Sequence, residues 1–256
     1  MIAKTLLTSL CLLLALVASA QQNKATDKID TNKGPLTIQP VLHGTVVMNW
    51  NGKTIYVDPY GGAEAFAGIA APDLILITDI HGDHLDMKTM SAINTSKATL
   101  VVPQAVADML PDSLKQKAIV LANNKHTEQL GIAIAAIPMY NLPEDAESRH
   151  PKGRGNGYVL EIGGKNIYLS GDTEDIPEML ALRNIDVAFV CMNLPYTMDV
   201  DQAASAVLAF KPKTVYPYHY RGQEGLSDVE AFKKKVNAGD KNIDVRLRNW
   251  YPEKQR

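Results

Sequence analysis

Cysteine is scarce in this sequence, whose 256 residues include only Cys11 and Cys191. Cys11 lies in an apolar stretch near the amino terminus that is predicted below to be removed, so Cys191 would remain alone. One cysteine cannot form a disulfide within its own chain. We therefore expect the stability of the fold to come from a hydrophobic core, which a chain of this length can bury.

The amino terminus also lacks a hydrophobic run long enough to span a membrane. The run at residues 6–17 is shorter than the roughly 20 apolar residues needed to cross a bilayer. Lys4 precedes this run and the small residues Ala18, Ser19 and Ala20 follow it, an arrangement typical of a secretory signal peptide. The sequence thus predicts a signal peptide over residues 1–20, a secreted and periplasmic protein, and no stable membrane anchor.

An excess of one charge is absent as well. Lys and Arg number 26 and Asp and Glu 28, which gives a formal net charge of −2. A chain with this balance has no bulk attraction for the phosphates of nucleic acid, so no nucleic-acid partner is expected. The sequence also has no G-x-S-x-G motif, which argues against the serine nucleophile that such a turn presents.

The chain is predicted to hold one domain built from two similar halves. Residues 21–35 are polar and aperiodic and predict a flexible segment, and the domain is expected over residues 36–256. NGKTIYVDPY at 51–60 resembles GGKNIYLSGD at 163–172, and each forms the second strand of a predicted hairpin, followed by a short helix and an apolar strand. This duplicated plan predicts an α/β fold, an αββα sandwich of two mixed β-sheets packed face to face with helices on the outer faces.

Four residues that can bind metal lie close together in the stretch ILITDIHGDHLD. Asp79, His81, Asp83 and His84 follow an apolar strand that delivers them to the edge of a sheet, where water can reach. Imidazole nitrogen and carboxylate oxygen are donors that zinc or a similar divalent ion takes. The alternative is structural, with Asp83 or Asp86 capping the following helix and the histidines lying on the surface.

The same stretch resembles the H-x-H-x-D-H signature of the metallo-β-lactamase superfamily, with Asp79 where the first histidine would stand. The resemblance extends from about His43 to Arg248. It includes YVDPY with Asp58, SGDT with Asp172 and PYHY at 217–220. Within the superfamily, the chain is similar to a branch of metal-dependent hydrolases that resemble ascorbate-6-phosphate lactonase-like proteins. The resemblance implies the same sandwich fold as the duplicated plan.

The resemblance also implies two metal sites that share a bridging ligand. The first site would hold Asp79, His81 and a third ligand; the second would hold Asp83, His84 and His219; and Asp172 would bridge the two ions. For the third ligand, His150 is the better donor and Asn141 the alternative, because amide oxygen binds zinc weakly. Two zinc ions are expected. Manganese or iron is the alternative, since the carboxylate of Asp79 adds a negative charge and a harder donor.

These sites imply a metal-dependent hydrolase. A metal-activated hydroxide, oriented by the catalytic Asp83, would attack an ester, lactone, amide or phosphoester bond. No protein nucleophile is needed, and Cys191, which follows an apolar strand, is expected to be an inert thiol. The alternative function is that of a non-catalytic binding protein whose metal site has degenerated at Asp79.

Further residues are candidates for contact with a small-molecule substrate. Lys152, Arg154 and Arg221 would place cations near the metal ions, so an anionic substrate would suit the site. The alternative is that these are solvated loop charges, which are common on any surface. His43 matches an early histidine of the superfamily and is expected to border the pocket without binding metal, and Asn141 would be a substrate contact where it is not a ligand.

Overall fold

The structure of the protein, a computed structural model, describes residues 26–252. The predicted signal peptide at residues 1–20 lies outside the described residues. Within residues 26–252, no helix is both long and apolar enough to span a membrane. The described part of the chain contains two seven-stranded β-sheets, a two-stranded ribbon and short helices.

The first sheet arranges its strands in the order in which they occur in the chain. Its first three pairs are antiparallel and the rest are parallel. The strands described are β1 (Asp27–Ile29), β2 (Leu36–Pro40), β3 (Val46–Trp50), β4 (Lys53–Val57), β5 (Leu74–Leu76), β6 (Thr99–Val102) and β7 (Ala118–Val120). Asn51 and Gly52 form the predicted turn between β3 and β4, with φ angles of 48° and 71°.

The second sheet follows the same plan. Its strands are β8 (His126–Gln129), β9 (Ile132–Met139), β10 (Gly155–Ile162), β11 (Lys165–Leu169), β12 (Val187–Cys191), β13 (Thr214–Tyr218) and β16 (Asp244–Val245). Between β13 and β16, β14 (Arg221–Gly222) and β15 (Gly225–Leu226) form a separate two-stranded ribbon. Strands β8 to β11 pair antiparallel, and β11, β12, β13 and β16 pair parallel. The duplication that the sequence predicts is therefore present in the sheets.

Helices cover the outer faces of the sheets. The helices described are α1 (Gly62–Ala65), α2 (Met87–Ala92), α3 (Gln104–Met109), α4 (Asp112–Lys115), α5 (Pro177–Leu180), α6 (Val200–Phe210) and α7 (Val229–Gly239). Helix α6 begins at a capping box in which the Asp199 carboxylate accepts from the Gln202 N–H, and the Gln202 side chain accepts from the Asp199 N–H.

The core shows how β5 separates two apolar layers. Its side chains alternate between the faces of the first sheet, so Leu74 and Leu76 belong to the large core between the sheets, whereas Ile75 packs in a smaller cluster with Met90 of α2 and Val106 of α3. A strand buried on both faces in this way appears in the sequence as an unbroken apolar run. The predicted αββα sandwich is confirmed.

The start of the fold differs from the prediction. Residues 21–35 were expected to be flexible, but residues 27–29 form strand β1, which pairs antiparallel with β2. The Asp27 carboxylate accepts hydrogen bonds from Arg248 at 2.6 and 2.9 Å and from the Tyr216 hydroxyl at 2.9 Å. The prediction is wrong for this stretch because a polar segment can pair through its backbone, and its charged partners come from distant parts of the chain.

Candidate metal centre

The site lies where the carboxyl ends of parallel strands meet. Asp58 follows β4, Asp79 follows β5, Asp172 follows β11, and His219 directly follows β13. Because parallel strands end at the same edge of a sheet, these side chains gather at one opening. Asp58 and His219 have φ angles of 44° and 47°, in the left-handed region, which turns the chain sharply as each strand ends.

We call His84, Asp172, His219 and the adjoining Asp83 the second cluster. The Nε2 atoms of His84 and His219 lie 3.2 Å apart. They lie 3.4 and 3.5 Å from the Asp172 carboxylate, and His219 Nε2 lies 3.3 Å from Asp83 Oδ2. All but Asp83 are buried. The structure thus brings together the residues predicted for the second metal site.

A buried carboxylate orients His84. Asp58 Oδ2 lies 2.9 Å from His84 Nδ1, and the same carboxylate accepts from the Thr78 N–H at 2.8 Å and the Thr78 hydroxyl at 2.6 Å. A carboxylate accepts only, so His84 carries its proton on Nδ1 and turns Nε2 toward the cluster, an arrangement typical of histidine ligands. This supporting role of Asp58 is not predicted from the sequence, although its position after a strand in YVDPY was the available signal.

His43 connects the second cluster to the end of the chain. Its Nε2 lies 2.9 Å from Asp83 Oδ2, and its Nδ1 lies 2.7 Å from the Tyr251 hydroxyl. Since Asp83 only accepts, neutral His43 donates from Nε2 and accepts from Tyr251. Burial, together with neighbouring His219, lowers the pKa of His43 to about 4, despite the opposing effect of Asp83. No sequence signal pointed to Tyr251.

We call Asp79, His81 and His150 the first cluster. His81 Nδ1 lies 2.6 Å from Asp79 Oδ2, and His150 Nε2 lies 3.9 Å from the same oxygen. His150 Nε2 also lies 3.3 Å from Asp172 Oδ2, so Asp172 adjoins both clusters. The residues predicted for the first site are brought together, with Asp172 in the bridging position.

Asn141 lies behind His150 rather than beside it. Its Oδ1 accepts from the His150 N–H at 2.8 Å and lies 3.1 Å from His150 Nδ1, and its amide nitrogen donates to the Tyr196 carbonyl at 2.8 Å. These contacts orient the His150 ring with Nε2 toward Asp172. Of the two alternatives for the third ligand, the geometry favours His150.

The three predicted substrate cations lie in different surroundings. Arg154 binds Asp79 through two hydrogen bonds, Nε to Oδ1 at 3.2 Å and Nη2 to Oδ2 at 3.1 Å. Lys152 contacts Tyr140, Glu144 and Glu178, away from both clusters. Arg221 lies over the Tyr251 ring, with its Cζ 4.1 Å from the ring centroid. Their contact with substrate stays a prediction, and Arg221 is the best placed.

Arg221 lines a cavity beside the second cluster. The cavity has a volume of about 460 Å³, and its lining residues are Leu42, His43, Tyr60, Gly61, Asp83 and Arg221. The lining therefore combines the cationic Arg221 with the apolar Leu42 and the aromatic Tyr60, and it reaches the second cluster through Asp83. A small molecule with an acidic group fits this lining.

The structural alternative for the ILITDIHGDHLD stretch holds for one residue. Asp86 caps helix α2, where its carboxylate accepts from the Lys88 N–H at 2.9 Å. Asp83 and the histidines instead face the clusters. Cys191 is buried, its thiol donates to the Thr173 carbonyl, and burial raises its pKa to about 11, as expected of an inert thiol.

The pKa shifts and the hydrogen bonding of the buried side chains indicate whether the two clusters suit a metal ion. Burial alone would raise the pKa of Asp172, but nearby His219 and His84 hold it well below its ordinary value. Burial alone would lower the pKa of His84, but Asp172, Asp83 and Asp58 raise it well above the ordinary value. Within residues 26–252, the buried atoms His150 Nε2 and Asp172 Oδ1 make no well-aligned hydrogen bond, although they lie 3.3 Å from Asp172 Oδ2 and 3.5 Å from His219 Nε2 respectively.

Buried charges and unpaired donor atoms are costly unless they are paired or coordinate a metal. In each cluster, imidazole and carboxylate donor atoms of three residues lie within 4.8 Å of one another: Asp79, His81 and His150 in the first, and His84, Asp172 and His219 in the second. Asp83 forms a further such group with His43 and His219. The donor set therefore fits divalent ions in both clusters, with Asp172 between them.

Comparison with known proteins agrees with this geometry. Residues 37–219 match the family model described as a beta-lactamase superfamily domain. The chain is 34% identical over 200 residues to a UPF0173 metal-dependent hydrolase from Pyrococcus abyssi, which covers 74% of this chain and 86% of the relative.

Two solved structures share the fold. A crystal structure of a metal-dependent hydrolase from Parabacteroides distasonis has a TM-score of 0.77 and 37% identity, covering 88% of this chain and 98% of the other. A metallo hydrolase from Ignicoccus hospitalis has a TM-score of 0.70 over 85% of this chain and 96% of the other. Its identity is 23%, so this likeness concerns the fold alone.

Proposed function

This chain belongs to the metallo-β-lactamase superfamily and is a metal-dependent hydrolase of it, and we propose that it is exported and hydrolyses a small anionic substrate. The bond proposed is an ester, lactone, amide or phosphoester. The observation that carries the proposal is the joining of two ligand clusters by Asp172 beside a cavity lined by Arg221. A binding protein with a degenerate site is the weaker alternative, since Asp79 still presents a carboxylate to its cluster.

Two zinc ions are the proposed cofactors. Asp79, His81, His150 and Asp172 would hold the first, and Asp83, His84, His219 and Asp172 the second. Four imidazoles with carboxylates suit zinc, and manganese or iron is the alternative. When bound, such an ion supplies Lewis acidity and lowers the pKa of a bound water to about 7.

The protein's own residues would orient the reactants. Burial raises the pKa of Asp83, but His84, His219 and His43 outweigh it and hold this pKa far below its ordinary value, so the carboxylate is ionised. His43 and His219 contact Oδ2, whereas Oδ1 lies 3.9 Å from His84 Nε2. Asp83 would therefore orient the attacking water by accepting a hydrogen bond from it, while Arg221 would pair with the acidic group of the substrate.

We propose that residues 1–20 act as a signal peptide and that the exported protein is periplasmic. Cell fractionation with mass measurement of the mature chain tests it, and a chain that retains residues 1–20 in the cytoplasm would contradict it. The balanced charge supports no nucleic-acid partner.

The substrate proposal is tested with protein from residue 21 onward, loaded with zinc. Matched pairs of esters, lactones, amides and phosphoesters, each with and without a carboxylate, are screened for hydrolysis.

Arg221→Gln should raise KM for the anionic substrates by about 10-fold, the loss expected for one charged hydrogen-bonding group, and leave KM for the neutral substrates unchanged. Arg183→Gln is the matched control, at an exposed site where Arg183 donates to the Leu180 and Leu182 carbonyls. Equal rates on neutral and anionic members would overturn the substrate class.

A further inference from the structure

Arg154 pairs with a carboxylate of the first cluster. Its guanidinium binds both oxygens of Asp79, and Asp79 is fully buried. We propose that Asp79 and Arg154 act as one neutral unit that replaces an imidazole ligand, with Arg154 as a positioning residue for the first metal site. The proposal rests on the metal dependence of the superfamily and not on the proposed substrate.

The first step of the inference is charge. A neutral histidine at position 79 would add no charge to the cluster, whereas an aspartate adds one negative charge. The Arg154 guanidinium, which is always protonated, carries the opposite charge at 3.1 Å. Together the two side chains sum to zero. The extra negative charge that the sequence predicted for this site is therefore offset within the protein.

The second step is the number of donor sites on the carboxylate. A carboxylate has about four lone-pair sites, and the paired guanidinium uses one on each oxygen. Asp79 Oδ2 is also the oxygen that lies 2.6 Å from His81 Nδ1 and 3.9 Å from His150 Nε2. Arg154 thus binds Asp79 from one side and leaves Oδ2 able to serve the cluster from the other.

The third step is the path of the chain. Arg154 Nη2 also donates to the carbonyl of Arg149, the residue before His150. Two residues further on, the Asn156 N–H donates to the Thr78 carbonyl at 2.9 Å, next to Asp79. Arg154 therefore links the segment that carries Asp79 to the loop that carries His150. Its removal would loosen two ligands of the first cluster and neither histidine of the second.

The experiment measures zinc binding rather than activity. Metal-free protein is titrated with zinc against a competing chelator, and His81→Ala identifies the binding step that belongs to the first cluster. Arg154→Ala should weaken that step by about 10- to 100-fold, the range for loss of a group that supports a ligand, and leave the other step unchanged. Arg154→Lys keeps the charge without the two-pronged geometry and should lie between Arg154→Ala and wild type.

A double variant supplies the decisive comparison. Asp79→His leaves Arg154 without its carboxylate and adds a positive charge near the ion, so removing Arg154 in that background should strengthen the first step. The effect of Arg154→Ala should thus change sign between the wild-type and Asp79→His backgrounds, which a merely structural role would not produce. Lys152→Ala, which removes a cation of the same loop that does not contact Asp79, should leave both steps unchanged.

The inference is overturned if Arg154→Ala leaves the first step unchanged or strengthens it in the wild-type background. It is also overturned if the effect has the same sign in both backgrounds. Circular dichroism of the metal-free variants verifies folding. Where Arg154→Ala does not fold, Arg154→Lys is titrated in its place: it should weaken the first step, and unchanged binding would overturn the inference.

Discussion

The two clusters use similar donor atoms but are supported in opposite ways. In the second cluster, the acceptor Asp58 lies behind the imidazole of His84. In the first cluster, the donor Arg154 lies behind the carboxylate of Asp79, and the neutral amide of Asn141 lies behind His150. The net charge that an ion meets therefore depends on the residue behind each ligand as well as on the ligand.

The largest effect should come from removing a ligand of the second cluster. We expect His84→Ala to lose one of the two binding steps for zinc and to lower hydrolysis by at least about 100-fold, since loss of a supporting group alone costs about 10- to 100-fold. Zinc titration and initial rates measure both. His126→Ala, at an exposed position on β8, is the matched control and should change neither. Full zinc binding by His84→Ala would contradict the assignment.

Removing the charge behind His84 should have the next largest effect. Asp58→Asn keeps the size of the side chain but no longer favours the protonated Nδ1 of His84 as strongly, so zinc binding at the second cluster should weaken by about 10- to 100-fold. Competition titration separates this step from that of the first cluster, which should not change. Equal weakening at both clusters would show that Asp58 supports the fold of the whole site and not His84 in particular.

Changing the neutral support of His150 should have a smaller effect. Asn141→Leu removes the acceptor near His150 Nδ1, and we expect zinc binding at the first cluster to weaken by about 10-fold, the low end of the range for supporting groups. The same titration measures it. Asn166→Leu is the matched change, since Asn166 contacts Asn184 and Asp186. A loss confined to the second cluster would contradict the placement of Asn141 behind His150.

The smallest effect concerns the contribution of His43 to the pH dependence of folding stability. The pKa of His43 is lowered to about 4, so between that pH and 6.5 the unfolded chain binds a proton that the folded chain does not. The unfolding free energy of the metal-free protein should therefore decrease as pH falls from 6.5 to 4.

His43→Gln tests this contribution by difference from wild type. The shifted pKa of His84 is present in both proteins and largely cancels in the comparison. Between pH 6.5 and 4, the unfolding free energy of the variant should decrease by roughly 1–2 kcal/mol less than that of the wild type, allowing for partial solvent screening. Urea unfolding at several pH values provides the measurement, and identical slopes in the two proteins would contradict the neutral state of His43.

The sequence was informative where ligands follow strands and uninformative where partners are distant. Asp79, His81, Asp83 and His84 could be found because four donors follow one apolar strand, and the fold could be found because the two hairpins repeat. Arg154 could be recognised as a cation near the site, but its pairing with Asp79, 75 residues away, depends on the path of a loop. A charge pattern does not specify that path.

The contact between His43 and the Tyr251 hydroxyl joins residues 208 positions apart. The His43 N–H also donates to the Trp250 carbonyl at 3.1 Å. Because such a contact closes most of the chain into one loop, it forms late and at an entropic cost. A nascent chain emerging from its amino terminus can pair β2 with β3 early, yet Asp83 is not fixed by His43 until residues 250 and 251 arrive.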